Sequence, residues 1–176
     1  MIESRFWKDD LLRYAKQFRP VAMPSRWSEK LVVNFEKDVV LAFFMVRKLW
    51  ESGKFSSETK LHKLKVLRCP NTIAANAMNY WDIDAIYDLT NEQPISKGVT
   101  FICNQFIHGR AIFAYREEDR NWGGLYTCSD FERQKYIYRI PLSEIITLLE
   151  IAGNDYPSMT RMTFNPDIND YDIETD

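Results

Sequence analysis

The stretch Val99-Thr100-Phe101-Ile102-Cys103-Asn104-Gln105-Phe106-Ile107-His108-Gly109-Arg110-Ala111-Ile112-Phe113-Ala114-Tyr115 carries the change of period that decides the fold. Before Gly109, the residues Val99, Ile102, Cys103, Phe106 and Ile107 recur at i, i+3, i+4, i+7 and i+8, which is one face of an α-helix. Ser96 can cap that helix and Gly109 can close it, so a helix is expected over 96–108. After Gly109 the period falls to two, and 111–115, 124–128 and 135–140 read as three strands. Their connections, 116–123 and 129–134, are polar and short, as an antiparallel meander requires. Pro141 ends the third strand, and Ser143-Glu144 opens an amphipathic helix through Ile145, Ile146, Leu148, Leu149 and Ile151 to Gly153.

Upstream of this hinge the pattern is mostly helical. Residues 3–18 space Phe6, Leu11, Leu12, Tyr14 and Phe18 among charges, with Pro20 and Pro24 to end the helix. A longer helix is expected from Ser28 to Ser52, with Val32, Phe35, Val39, Phe43, Val46 and Trp50 at steps of three or four as its core face. Its acids lie early and Arg47 and Lys48 late, the order the helix dipole favours, and Gly53 stops it. Ser56 to Thr59 can open a short helix, residues 62–69 alternate loosely as a strand or extended segment, and 80–89 reads as another short helix. The expected fold is therefore α+β: mainly a helical bundle of four or five helices, followed by a three-stranded antiparallel β-meander and a closing helix. One globular domain is expected over 1–156, helical to about 109 and meander plus helix over about 110–156. Beyond Arg161 the chain carries Asp167, Asp170, Asp172, Glu174 and Asp176 with no basic residue, so 157–176 is expected as a mobile acidic tail.

Composition narrows the class. The chain has 176 residues, and its 11 Phe, 9 Tyr and 5 Trp supply enough large side chains for a single core. With 23 basic against 25 acidic residues, no global field recommends nucleic acid or an anionic membrane surface. No apolar run approaches the roughly 18 residues of a membrane span, and the N-terminus lacks a signal-peptide layout. The three cysteines, Cys69, Cys103 and Cys128, are odd in number and sit in apolar stretches, which fits reduced thiols and a cytoplasmic location.

The usual chemical signatures are missing. There is no glycine-rich phosphate loop, no Gly-x-Ser-x-Gly and no His-Glu-x-x-His, and the cysteines lack the paired spacing of a zinc site, so neither cofactor nor metal is expected. Cys103 and His108 diverge by about 140° on a helix, which spoils them as a nucleophile pair. The carboxylates Glu117, Glu118 and Asp119, and Asp130 with Glu132, fall in turns and read as solvated hairpin ends. There remain Asn104 and His108, one helical turn apart and opposite the apolar stripe, so that they share a polar face with Lys97 and Thr100.

On the residues Phe101 to Gly109, with their Asn-x-x-x-His pattern, the chain resembles HEPN-type domains, small helical bundles that carry this pattern near the end of a helix. Val46 to Lys54 likewise resembles the close of the opening helix in uncharacterised bacterial relatives, and the resemblance covers about 28–110. It implies an RNA-associated domain of toxin–antitoxin or defence type, a metal-independent ribonuclease whose pocket is often completed by dimerisation. His108 would then serve as general acid or base, with Asn104 orienting it or the phosphate. The family's arginine, five residues before the histidine, corresponds to Cys103 here, and a thiol cannot stabilise phosphate charge as a guanidinium does. The expectation is accordingly a degenerate ribonuclease, with Arg110 as the candidate substitute and RNA as partner. Two other readings stand beside it. Asn104 and His108 can simply hydrogen-bond the adjoining meander. The protein can also be a non-catalytic interaction module, presenting the meander aromatics Phe113, Tyr115, Tyr126, Tyr136 and Tyr138 to a protein partner or a second copy.

Overall fold

The computed structural model describes residues 3–22 and 27–176. Helix α1 (Arg5–Phe18) buries Leu11, Tyr14, Ala15 and Phe18 on one face; Pro20 follows it, and Pro24 lies outside the described residues. Helix α2 (Glu29–Glu51) starts where Ser28 Oγ accepts the Leu31 N–H at 3.3 Å and ends at Gly53, whose φ of +65° suits a residue without Cβ. Its buried face is Phe35, Val39, Ala42, Phe43, Val46 and Leu49, whereas Val32 and Trp50 are only half-buried. After the single-turn helix α3 (Ser57–Leu61) come strand β1 (Lys63–Pro70), the short helix α4 (Ile83–Ile86) and strand β2 (Gln93–Gly98). Helix α5 (Val99–Ile107) then leads directly into β3 (Gly109–Arg116), β4 (Trp122–Ser129) and β5 (Tyr136–Pro141), followed by helix α6 (Leu142–Asn154).

The expected helical bundle with a three-stranded meander is corrected here. Five strands form one antiparallel sheet in the order β2-β1-β5-β4-β3, so the pre-hinge strands β1 and β2 extend the meander rather than a bundle. Helices α1, α2, α5 and α6 share with one face of this sheet a single core that includes Leu64, Val66, Leu125, Tyr138 and Ile140. Phe43 of α2 stacks on Phe106 of α5 at 4.3 Å between ring centroids, both fully buried, and truncating such an aromatic costs about 3–5 kcal/mol. The other face of the sheet is covered in part by residues 71–89, where Ala75, Ile86 and Tyr87 pack on Cys69, Ala111, Cys128 and Ile137. Of the helix expected over 80–89 only α4 forms, capped by Asp82, and of that expected over 96–108 the first three residues belong to β2.

The hinge falls at Gly109, where backbone crowds backbone. A Cβ there would meet the Gln105 carbonyl oxygen at 2.3 Å and the Cys128 carbonyl oxygen at 3.1 Å, so only glycine lets α5 turn into β3.

The segment expected as a patternless acidic tail contains strands β6 (Thr160–Asn165) and β7 (Asp170–Thr175), paired with each other and with no strand of the main sheet. Its base is fastened to the chain after α2. Thr175 Oγ1 donates to the Phe55 carbonyl at 2.6 Å and accepts from Lys60 Nζ at 3.0 Å, Ser57 Oγ donates to the Thr175 carbonyl, and Ser57 N–H donates to the Asp176 carbonyl at 3.0 Å. Beyond that base, no other helix or strand among the described residues packs extensively on the hairpin.

Candidate functional site

The α5–β3 junction does not assemble the expected constellation. Asn104, half-buried, accepts from Arg47 Nη1 of α2 at 3.4 Å, and Arg47 is in turn held by Glu51 through Nε at 2.7 Å. His108 is the C-cap of α5: its backbone N–H reaches the Asn104 carbonyl and its own carbonyl accepts from Asp130 N–H, while its exposed ring has no hydrogen-bond partner among the described residues. Arg110 is exposed and turned to Asp130 at 3.3 Å, which Arg133 shares at 3.2 Å. Of the expected trio, then, Asn104 is committed to α2 and Arg110 to the β4–β5 turn.

The residue that ties α5 to the meander is Gln105, which the sequence reading passed over. Its Nε2 donates to the Phe101 carbonyl, its Oε1 accepts from Ser129 N–H at 2.9 Å, and its carbonyl accepts from Thr127 Oγ1 at 3.1 Å. One residue on from Asn104, it is rotated about 100° around the helix and so faces β4 instead of α2. Cys103 is fully buried, and burial pushes its thiol up to about 12, so it is neither nucleophile nor anion-binding group. Each guanidinium near the junction, on Arg47, Arg110 and Arg133, already faces a carboxylate, which leaves none preorganised for phosphate.

The partly open face of the sheet carries a second polar cluster. Arg139 on β5 donates to both oxygens of Glu92, at 2.5 and 2.6 Å, and to the Tyr115 hydroxyl at 3.1 Å. It borders a cleft of about 300 Å³ lined by Trp122, Gly123 and Ser143 among others. Its donors and acceptors answer one another, the arrangement of a structural clamp. No group of three or more His, Cys, Asp or Glu able to hold a metal occurs among the described residues, and no described helix is long and apolar enough to cross a membrane.

Apart from Phe131, 87% exposed in the β4–β5 turn, the meander aromatics do not form an exposed apolar surface. Tyr138 is buried against Phe101, and Phe113, Tyr115, Tyr126 and Tyr136 are half-buried, so these five do not make the sticky face expected of them. On the hairpin, by contrast, register pairs Met162 with Ile173 and Phe164 with Tyr171, placing all four on one face. Their exposures are 62%, 41%, 51% and 54%, and Ile173 lies against Gly53 of the body. Thr163, Asp172, Arg161 and Glu174 alternate with them onto the opposite face. A signal for this was present in the sequence: two runs with alternating Met, Phe, Tyr and Ile flank the turn-forming Asn165-Pro166-Asp167.

No family model, no curated protein and no solved structure matches this chain. The resemblance to HEPN-type domains is overturned by the fold itself. Residues 63–70 and 93–98, inside the span it covers, are sheet strands, and the helix carrying Asn104 and His108 packs on that sheet rather than inside a helical bundle.

Proposed function

We propose that this protein is a non-catalytic protein-interaction module whose contact element is the β6–β7 hairpin. The observation that carries the reading is the hairpin's apolar face: four large side chains in register, each two-fifths or more exposed, on a two-stranded sheet that no described element packs on extensively. A lone two-stranded hairpin is only marginally stable in water, and a contiguous exposed apolar face typically marks a contact site. The pairing of every guanidinium near the α5–β3 junction, together with the net charge of −2, speaks for protein rather than RNA as the partner.

The test is chemical cross-linking in the source cells with the intact protein and with Phe164→Ser/Tyr171→Ser. The double variant should keep the same far-ultraviolet dichroism and melting profile and lose the specific protein cross-links. Retention of the same protein partners by the double variant would remove the hairpin from the interface. Cross-linking to RNA that disappears in His108→Ala would favour a nucleic-acid role instead.

A further inference from the structure

We infer that the hairpin docks on the outer face of helix α2 of a second copy of this chain, reciprocally, as a two-fold dimer. The inference rests on the interaction-module reading and names the occupant. Along α2, opposite its core face, Val33, Leu41 and Phe44 are 53%, 44% and 42% exposed, with half-buried Val40 between them, at helical steps that align them in one stripe. Exposed Lys37 lies in line with the stripe, four residues from both Val33 and Leu41, and exposed Lys30 and Lys48 share the same face near its two ends. Lys48 shares Glu51, but neither Lys30 nor Lys37 is in an ion pair with a carboxylate among the described residues.

Three properties match this stripe to the hairpin. Charge is the first: from residue 157 on the chain carries Asp167, Asp170, Asp172, Glu174 and Asp176 against Arg161 alone. Two hairpins laid face to face would bring these acidic arms together, whereas the α2 face carries lysines among its apolar residues, whose long stems can bury along a narrow two-stranded ribbon while their ammonium groups reach its acidic edges. Length is the second. Val33 to Phe44 spans about 16 Å of helix, and a six-residue strand spans about 20 Å. Area is the third, since a reciprocal contact covering both apolar faces twice removes on the order of 1,000 Å² from water, the scale a specific interface needs. Among the described residues the hairpin makes no extensive packing on its own α2, touching the chain after it only where Ile173 meets Gly53, so the contact with the outer stripe is assigned in trans.

The experiment is sedimentation velocity of the full chain from micromolar to several hundred micromolar, combined with lysine-to-carboxylate cross-linking of mixed light and heavy isotope protein. A dimer is expected, with mixed-isotope cross-links between Lys30 or Lys37 and Asp172 or Glu174. Phe44→Glu and Tyr171→Ser should each weaken it at least tenfold. Lys37→Glu and Glu174→Lys should each weaken it too, and their combination should recover much of the loss. A strict monomer over the whole range overturns the inference, as do mixed-isotope cross-links joining hairpin to hairpin or a dimer indifferent to all four variants. A strict monomer whose hairpin still captures a different protein in cells sinks the second copy as occupant and leaves the interaction-module reading standing.

Discussion

Replacing Thr175 by Val should loosen the hairpin from the body of the protein without weakening the body itself. Thr175 is 6% exposed, and its hydroxyl both donates to the Phe55 carbonyl and accepts from Lys60 Nζ. Valine keeps the shape and the preference for extended backbone but removes both hydrogen bonds. Each is worth about 1 kcal/mol net, and a methyl in place of the hydroxyl returns only part of that, so the docked hairpin loses about 1–2 kcal/mol. A loss of that size multiplies the population of the opened hairpin about 5- to 30-fold. Because no other described element packs extensively on the hairpin, the opening is local and leaves α2, α5 and the main sheet in place. Hydrogen exchange read by mass spectrometry should show amides of 160–175 exchanging about 5- to 30-fold faster, with those of 39–49 and 122–129 unchanged. Acceleration spread evenly over the whole chain, or none at all, would refute the picture of an independently opening arm held at its base.

The clamp on the open sheet face should behave as a coupled pair. Arg139→Met strands the Glu92 carboxylate and should cost about 2–3 kcal/mol, below the range for fully buried pairs because the two side chains remain 22% and 24% exposed. In denaturant melts the double variant Glu92→Gln/Arg139→Met should cost clearly less than the two single changes added, and strict additivity would count against the clamp. Gly109→Ala drives a Cβ into the Gln105 carbonyl, a backbone group with nowhere to retreat, and should lower stability by about 3 kcal/mol in the same melts. Burial pushes Cys69 up to about 11, Cys103 up to about 12 and Tyr126 up to about 12, so each keeps its proton longer folded than unfolded. Their contribution to stability is complete below pH 9 and is lost as pH rises above it, which a fall in melting temperature between pH 8.5 and pH 10.5 would register. At pH 8 a thiol reagent should leave the native protein unlabelled and modify all three cysteines only in denaturant.

The helices and the late strands were legible because their periodicity is intact. In α2, the buried Phe35, Val39, Phe43 and Val46 follow the helical step, and β4 and β5 sit where the two-residue period begins after the hinge. The sheet's other half was legible only in part: residues 62–69 read as a strand or extended segment, but neither their place in the sheet nor β2 was read, and the reasons are specific. Strand β1 is covered on both faces, with Leu64 and Val66 against the helices and Cys69 against residues 71–89, so its alternation is blurred. Strand β2 lies at the sheet edge and contributes a single large apolar side chain, Ile95, beside Pro94, which an edge tolerates and which argues against a strand in isolation.

The contacts that reassign the candidate site join residues too far apart in sequence for any local pattern to announce them. Asn104 was singled out by its spacing to His108, yet its partner is Arg47, 57 residues upstream on α2, which packs on α5 through the stack of Phe43 on Phe106. A residue pattern one helical turn long specifies which side chains share a face but not what that face meets, and here the face meets α2. The hairpin presents the opposite case, a local pattern that was fully present and masked by composition. Asp170, Asp172 and Glu174 alternate with Tyr171 and Ile173 because one face of the hairpin is acidic and the other apolar. An acidic segment that also alternates with large apolar residues is therefore better read as a strand awaiting a cover than as a solvated tail.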